Sequence, residues 1–209
     1  RILYDESCKR HRLLKGIDNA KDQSYFLFTM TQKQISRIMF PLGYMTKREV
    51  RNHAKRFGLK TAEKKESQDI CFVPDNQYPD FIIKRLGSFQ RDGDIVNRDG
   101  NILGTHNGLY RYTIGQRKGL GIARGKPQYV VDIDVKNNRL VVGDKDEAFS
   151  NGLTAKDLNW IGIDKLDGQI EVESKIRYRH KGIKSIVKPI GGGRVKVDFL
   201  KPECAVTPG

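Results

Sequence analysis

The chain has 209 residues and a formal net charge of +14, and a hydrophobic content of 37% suits a folded globular protein. No apolar stretch is long enough to cross a bilayer, and three cysteines without a C-x-x-C pair argue against a disulfide framework and a zinc ribbon. We therefore expect a cytoplasmic protein in a reducing setting, without membrane or metal, that binds a polyanionic partner.

The first third of the chain has a mixed α and β pattern. Residues 1–4 and 12–15 predict two strands around a polar turn. Residues 32–40 predict a helix that stops before Pro41 and places three apolar side chains on one face, namely Ile35, Ile38 and Met39.

A second helix is predicted by its terminal residues. Thr46 and Glu49 have the spacing of a capping box, in which each side chain satisfies a backbone amide at the helix start. Gly58 is placed to end this helix in a left-handed conformation. The sequence predicts further elements beyond it: extended segments at 59–61 and 69–73, and a helix at 79–86.

After residue 87 the pattern is mostly β. Asp99-Gly100 and Asn137-Asn138 predict hairpins with type I′ turns. Alternating apolar and polar residues predict a strand over 170–178, with Arg177 on its solvent face. Strands at 183–190 and 194–200, joined through three glycines, predict a small antiparallel barrel. These changes in pattern give three expected domains: 1–76, 77–146 and 147–209.

The positive charge is concentrated in two segments. Residues 111–126 hold five basic side chains and no acid, and residues 174–188 hold six lysines or arginines plus His180, again without an acid. Clustered cations release counterions from phosphates, so this distribution favours a nucleic-acid partner over a generic charged surface.

Cys71 is the candidate for covalent chemistry. It lies between Ile70 and Phe72, where a lone cysteine is most often a small buried hydrophobe. A thiol acts as a nucleophile or persulfide carrier only as the thiolate, which needs an electropositive setting. From these residues alone both interpretations stay open, and no base is visible for a cysteine hydrolase.

Six segments, in order, resemble the bacterial tRNA-specific 2-thiouridylases. They are Lys-Asp-Gln-Ser-Tyr-Phe at 21–26, Lys-Glu-Ser-Gln-Asp-Ile-Cys-Phe at 65–72, Tyr-Thr-Ile-Gly-Gln-Arg-Lys-Gly-Leu-Gly at 112–121, Tyr-Val-Val-Asp at 129–132, Arg-Tyr-Arg at 177–179 and Ala-Val-Thr-Pro-Gly at 205–209. The resemblance covers essentially the whole chain. It implies the remnant of an α/β adenine-nucleotide α-hydrolase-like (PP-loop) domain, a small β-rich central domain and a truncated antiparallel β-barrel.

The resemblance also implies an activity and its participants. The family replaces the 2-oxygen of the wobble uridine of tRNA with sulfur, using ATP with Mg²⁺ and a sulfur-relay protein that charges a cysteine persulfide. Cys71 matches the persulfide cysteine, and a second cysteine resolves the disulfide. The remaining matched positions imply contacts with tRNA: Lys21, Asp22, Gln23, Arg177 and Tyr178. We expect the protein to be a monomer.

The sequence also departs from the family pattern. It contains no Ser-Gly-Gly-x-Asp-Ser ATP loop, and Cys8 and Cys204 lie in no catalytic motif of the family, so we interpret both as structural. We expect the chain to be an internal segment of a longer protein, with its ATP site and its second catalytic cysteine elsewhere. The alternative hypothesis is a non-catalytic RNA-binding module whose β-barrels resemble those of translation factors.

Overall fold

The computed structural model describes residues 1–64, 81, 84–85, 92–122 and 125–208. The chain forms two compact units, each made of two segments. The first unit comprises Arg1–Glu66 and Thr154–Leu200, and the second comprises Ser67–Leu153 and Lys201–Gly209. The first unit thus combines parts of both predicted terminal domains, while the domain boundaries near 76 and 146 stay predictions.

The first unit begins with the predicted hairpin. Strands β1 (Ile2–Asp5) and β2 (Arg10–Leu13) pair antiparallel, with β2 starting two residues earlier than the pattern indicated. The exposed Cys8 lies in the turn between them, where it is a free thiol rather than part of a core.

The predicted helix over 32–40 is wrong in length, because α1 (Gln32–Ile35) is a single turn. Ser36 ends it, and its hydroxyl donates to the carbonyl of Lys33. Ile35 is buried, but the other two residues of the predicted face, Ile38 and Met39, are 39% and 87% exposed. The apolar residues thus have helical spacing, but Ile38 and Met39 do not pack against a buried surface.

Helix α2 (Lys47–Arg56) has the predicted start and end. Thr46 N–H donates to Glu49 Oε2 at 2.6 Å, and Glu49 N–H donates to Thr46 Oγ1 at 3.4 Å, which confirms the capping box. Gly58 has a φ of +63°, as expected for a left-handed C-terminal residue. The predicted extended segment at 59–61 is wrong, since these residues form turns.

The second unit contains a four-stranded sheet in the order β4-β3-β6-β5. The strands are β3 (Gly93–Val96), β4 (Ile102–His106), β5 (Tyr129–Asp134) and β6 (Arg139–Gly143). β3 and β6 pair in parallel, and the other neighbours are antiparallel. Five buried apolar residues form the core against the sheet: Ile95, Leu120, Val130, Leu140 and Val142.

Both predicted hairpins of this sheet exist, but neither has the predicted turn. A type I′ turn needs positive φ at both central residues. Only Gly100 has it in the first hairpin, at +85°, and only Asn138 in the second, at +53°. The loops contain five residues (97–101) and four residues (135–138), so tighter two-residue turns were incorrectly predicted.

A second four-stranded sheet follows, in the order β7-β10-β9-β8. Its strands are β7 (Phe149–Ala155), β8 (Ile170–Ser174), β9 (Ile183–Gly191) and β10 (Arg194–Cys204). The hairpin through the three glycines at 191–193 is confirmed, and closure of the sheet into a barrel stays a prediction.

The strand predicted over 170–178 is wrong in its second half. Ser174 pairs with Ile183, which is the first residue of β9, so β8 has no partner strand beyond that point. Gly182, with a φ of +100°, precedes β9. Arg177 is exposed as predicted, but it lies in the loop between β8 and β9 rather than on a strand.

Some predictions lie outside the described residues. These are the extended segment at 69–73, including Cys71, and most of the helix predicted over 79–86. Within the latter, Phe81, Lys84 and Arg85 are helical. None of the helices in the described parts of the chain combines the length and apolar character that a membrane span requires.

Candidate nucleic-acid interface

The carboxylate of Asp22 organises the loop that carries the first group of predicted tRNA contacts. Its Oδ1 accepts hydrogen bonds from the N–H groups of Gly16, at 2.8 Å, and Ser24, at 3.4 Å. Its Oδ2 accepts a hydrogen bond from Ser24 Oγ at 2.7 Å. Asp22 is half-buried, whereas its neighbours Lys21 and Gln23 are exposed. The carboxylate therefore shapes the loop that presents these two side chains.

The electrostatics of Asp22 agree with this structural role. Burial alone raises the pKa of the carboxyl, but the hydrogen bonds from Gly16 and Ser24 outweigh it and hold the pKa below its ordinary value. The nearby Lys175 ammonium acts in the same direction. Asp22 is thus ionised at neutral pH, with both oxygens bonded to the chain itself.

Three aromatic rings form a platform next to this loop. A short 3₁₀ helix (Ser24–Leu27) carries Tyr25 and Phe26, and the β8–β9 loop carries Tyr178. The ring centroids of Phe26 and Tyr178 are 4.6 Å apart, and those of Tyr25 and Tyr178 are 6.3 Å apart. Phe26 is 57% exposed, so the platform (Tyr25, Phe26 and Tyr178) remains accessible from solvent.

Lys175 adds a cation to this platform. Its Nζ lies 5.7 Å from the ring centroid of Tyr25 and 5.9 Å from that of Tyr178. Both distances are in the range of cation–π attraction. The sequence analysis did not single out Lys175. Its position in the basic segment 174–188 was the signal that could have identified it as a candidate.

Polar contacts join the two chain segments that make up the first unit. The Arg10 guanidinium donates to the carbonyls of Trp160, at 2.8 Å, and Ile161, at 3.3 Å. Gln32 Nε2 also donates to Ile161, at 3.0 Å, and Asn159 Nδ2 donates to the carbonyls of residues 28 and 30. These bonds join residues 159–161 to the N-terminal segment. The ring contact between Phe26 and Tyr178 is what brings the region of the predicted contacts at 21–23 close to that at 177–178.

A cavity of about 620 Å³ lies beside the platform. Its walls come from residues 12–15, from the loop between Asp22 and Phe28, from Ile161 and Gly162, and from Lys175. Most of this surface is apolar, and three of the four charged lining groups are cations: Arg12, Lys15 and Lys175.

The second unit presents a glycine-rich basic loop at 112–121. Gly115 N–H donates to the carbonyl of Val130 at 2.7 Å, and Val130 N–H donates to the carbonyl of Gln116 at 2.9 Å, so the loop is bonded to β5. Arg117 and Lys118 are exposed on it. This arrangement places part of the predicted basic segment 111–126 where it can contact phosphates.

The remaining candidates have structural surroundings or lie outside the described residues. His106 is fully buried, with Nδ1 accepting from Gly108 N–H at 3.1 Å and Nε2 lying 3.2 Å from the carbonyl of Asn138, as expected for a structural histidine. Cys204 is a partly buried free thiol at the end of β10. Cys71 is outside the described residues, and its role stays a prediction.

Three family models match the chain in consecutive order. The model for the tRNA methyl transferase HUP domain matches residues 2–75, and that for the tRNA methyl transferase PRC-barrel domain matches residues 79–144. The model for the aminomethyltransferase beta-barrel domain matches residues 150–209. The predicted series of one α/β-type domain and two β-rich domains agrees with these descriptions at this level.

Curated relatives share about half of their aligned residues with the chain. A protein of Acetivibrio thermocellus named tRNA-specific 2-thiouridylase MnmA is 49% identical over 208 residues, which are 100% of this chain and 58% of the relative. Proteins of the same name from Geotalea uraniireducens and Geobacter metallireducens are each 52% identical, over 96% and 94% of this chain and 53% of each relative.

The chain therefore spans little more than half the length of these relatives. Three consecutive model matches and near-complete alignment of the chain nevertheless agree with each other. They also agree with the six motifs that carried the resemblance. The chain belongs to the family of the tRNA-specific 2-thiouridylases.

Proposed function

We propose that the protein to which this chain belongs replaces the 2-oxygen of the wobble uridine of tRNA with sulfur, and that this chain supplies much of its tRNA-binding surface. One observation carries the proposal: the exposed Lys21 and Gln23 lie in the loop that leads into the aromatic platform, and the exposed Arg177 directly precedes Tyr178, which is part of that platform. Cations and accessible rings suit the phosphates and unstacked bases of an RNA loop.

In this proposal Cys71 carries the transferable sulfur. The terminal sulfur of its persulfide, delivered by a sulfur-relay protein, forms a bond to C2 of the uridine while the activated 2-oxygen leaves. The thiolate of a second cysteine, which we assign to residues outside these 209, then attacks Cys71 Sγ. This breaks the S–S bond, leaves the transferred sulfur on C2 and joins the two cysteines in a disulfide. Cys8 and Cys204 are not assigned to that step.

ATP has no assigned site in this chain. The sequence contains no Ser-Gly-Gly-x-Asp-Ser loop, so the residues present do not match the phosphate-binding motif that the family resemblance implies. We assign ATP and Mg²⁺, which would activate the 2-oxygen, to residues outside these 209.

We further propose that the β strands after residue 147 belong to a closed antiparallel barrel in the whole protein.

The matching family models and the named relatives differ in the chemistry they describe. Two of the matching family models are described as tRNA methyl transferase domains, whereas the relatives are named 2-thiouridylases. We favour sulfur transfer because this reaction needs a thiol that carries the sulfur. Cys71 provides such a thiol, and it lies in the segment that resembles the persulfide motif of the family. Mass spectrometry of nucleosides separates the two, since sulfur replacement and methyl addition give different products.

The experiment is a serine substitution of Cys71 in the complete protein. Cys71→Ser should abolish wobble 2-thiouridine in a strain that depends on this gene, while tRNA affinity stays close to that of the parent. Cys8→Ser, at an exposed turn, is the matched control and should leave 2-thiouridine unchanged. Normal 2-thiouridine in the Cys71→Ser strain would disprove the assignment of Cys71.

A non-catalytic RNA-binding module is the second candidate. The platform, the basic loop at 112–121 and the net charge are consistent with RNA binding without chemistry. This hypothesis predicts that deleting the gene leaves the modified nucleosides of tRNA unchanged. Loss of 2-thiouridine on deletion would exclude it.

A further inference from the structure

The cavity beside the platform has the composition of a ligand site. Its volume of about 620 Å³ falls within the range of about 300–1,000 Å³ that is typical of small-molecule pockets. Leu13, Leu14 and Ile161 supply aliphatic walls, while Tyr25 and Phe28 supply aromatic ones. A ligand that fits this surface has a sizeable apolar portion.

The charged groups of the cavity indicate the other portion of the ligand. Arg12, Lys15 and Lys175 line it together with a single carboxylate, Asp22. Arg12 is ion-paired with Asp5, and Lys15 lies 3.6 Å from Glu173, so these two cations are largely balanced by acids. Lys175 differs from them because its ammonium lies over the rings of Tyr25 and Tyr178 at the cavity wall. An anionic group is therefore favoured next to Lys175, beside the apolar walls.

We propose that this cavity receives one unstacked nucleotide of the bound RNA, with the base against the Tyr25 and Phe28 side of the cavity and a phosphate near Lys175. The inference rests on the proposed tRNA substrate and adds a specific subsite to it. A nucleotide combines a flat apolar base with an anion, and aromatic side chains with neighbouring cations are the usual receptors for unpaired bases.

Lys175 connects the cavity with the platform. Its ammonium lies over Tyr25 and Tyr178 and also lines the cavity. A phosphate at the cavity mouth would thus meet a cation whose position is set by two rings. The lysine couples entry of the nucleotide to the β8–β9 loop that holds Arg177.

Gly162 allows a bulky side chain to be added at the cavity wall without a clash at Cβ. It lines the cavity, its φ is not in the left-handed region, and a Cβ built on it meets no atom within 4 Å. Gly168 lies six residues later, is equally free of neighbours, and does not line the cavity. Gly162→Leu and Gly168→Leu therefore form a matched pair of test and control.

The experiment measures binding by the complete protein of tRNA and of an unstructured pentaribonucleotide that contains 2-aminopurine. The parent and Gly168→Leu should quench the 2-aminopurine fluorescence, as expected when the base stacks on an aromatic ring. Gly162→Leu should lose the quenching and bind tRNA at least about fivefold more weakly. Equal tRNA affinity and equal quenching in both variants would overturn the proposal.

Lys175→Met and Lys175→Arg test the cation separately. Met keeps most of the side-chain length without the charge, so Lys175→Met should weaken binding of the pentaribonucleotide. Lys175→Arg keeps the charge and should bind it about as well as the parent. Equal affinity of the Met variant and the parent would refute the phosphate contact. Uridine monophosphate, added as a competitor, tests whether the cavity prefers a free nucleotide or a nucleotide within RNA. If it displaces the labelled pentaribonucleotide as effectively as the unlabelled pentaribonucleotide does, an RNA ligand is refuted.

The outcomes also separate this inference from the proposed function. If Cys71→Ser abolishes 2-thiouridine but Gly162→Leu binds RNA normally, the subsite is wrong and the proposed function stands. If Gly162→Leu weakens RNA binding while Cys71→Ser leaves 2-thiouridine intact, the subsite stands and sulfur transfer by Cys71 is wrong. A parent protein that binds no RNA refutes both.

Discussion

The ring of Tyr178 packs on the ring of Phe26, with 4.6 Å between centroids and an interplanar angle of 36°. This contact joins the β8–β9 loop to the 3₁₀ helix at Ser24–Leu27, two segments separated by about 150 residues. Aromatic pairs in contact contribute about 0.5–1.5 kcal/mol beyond the burial of their area. The pair therefore ties together the two groups of proposed tRNA contacts.

Phe26→Ala should weaken tRNA binding by about 1–3 kcal/mol, because one surface for base stacking is lost. The melting temperature should fall only slightly, since more than half of the Phe26 side chain is exposed. Phe26→Tyr keeps the ring and serves as the control, with affinity close to the parent. An alanine variant that binds like the parent would argue that Phe26 only packs on Tyr178.

Arg177→Ala should weaken tRNA binding and reduce the slope of log K against log salt by about 0.7–0.9, the contribution of one neutralised phosphate. Binding measured between low and moderate salt gives this slope. Lys136→Ala, in the β5–β6 loop of the second unit, removes one exposed cation elsewhere and is the control. A slope identical to that of the parent would place Arg177 outside the contact.

Asp22 should make the first unit less stable in acid. Since the folded-state pKa of its carboxyl lies below the ordinary value, its stabilising effect is complete above about pH 4–5 and is lost as the pH falls through the folded pKa. With the partial exposure of Asp22 taken into account, Asp22→Asn should lower the free energy of unfolding by about 1 kcal/mol at pH 7. It should also make the stability depend less on pH in the acid range.

The measurement is the melting temperature between pH 3 and pH 7. The difference between the parent and Asp22→Asn should shrink as the pH falls, because the parent loses the charge that the variant never has. Glu6→Gln, at an exposed carboxylate in the turn between β1 and β2, is the control and should give a parent–variant difference close to zero at every pH. A parent–variant difference that is constant with pH would contradict the role assigned to the ionised Asp22.

Arg10→Ala should destabilise the first unit by about 1–3 kcal/mol, because the carbonyl of Trp160 loses its side-chain donor and that of Ile161 keeps only the donor from Gln32. The Arg10 side chain is 18% exposed, so water replaces these bonds poorly. Lys cannot supply the forked donor, so Arg10→Lys should restore little of the stability. Denaturant unfolding measures the effect.

Arg98 provides the comparison for Arg10. Its ion pair with Glu147 is exposed, and exposed pairs contribute about 0–1 kcal/mol, so Arg98→Ala should change stability little. If both alanine variants unfold at the same denaturant concentration, the contacts of Arg10 do not stabilise the first unit.

Local interactions made several elements predictable. The capping box of Thr46 and Glu49, the left-handed Gly58 and the hairpin through the glycines at 191–193 were identified correctly. Each depends on residues only a few positions apart, whose side chains or φ angles act within one turn. The six family motifs likewise depend on residue order alone.

Predictions failed where a distant partner decides the result. Helix α1 ends at Ile35 although the apolar spacing continues, since Met39 finds no buried surface. Strand β8 ends at Ser174 because β9 begins opposite it at Ile183. The turns at 97–101 and 135–138 likewise depend on the register of the paired strands rather than on their dipeptides.

The sequence by itself therefore determined the family, the positive charge and the residue types on which the proposed binding of tRNA depends. Only the tertiary structure decided that Asp22 shapes a loop, that Lys175 lies over Tyr25 and Tyr178, and that a cavity lies beside them. The physical reason is that hydrogen bonds and ring contacts between residues so far apart follow from the packing of the whole unit, which no local pattern encodes.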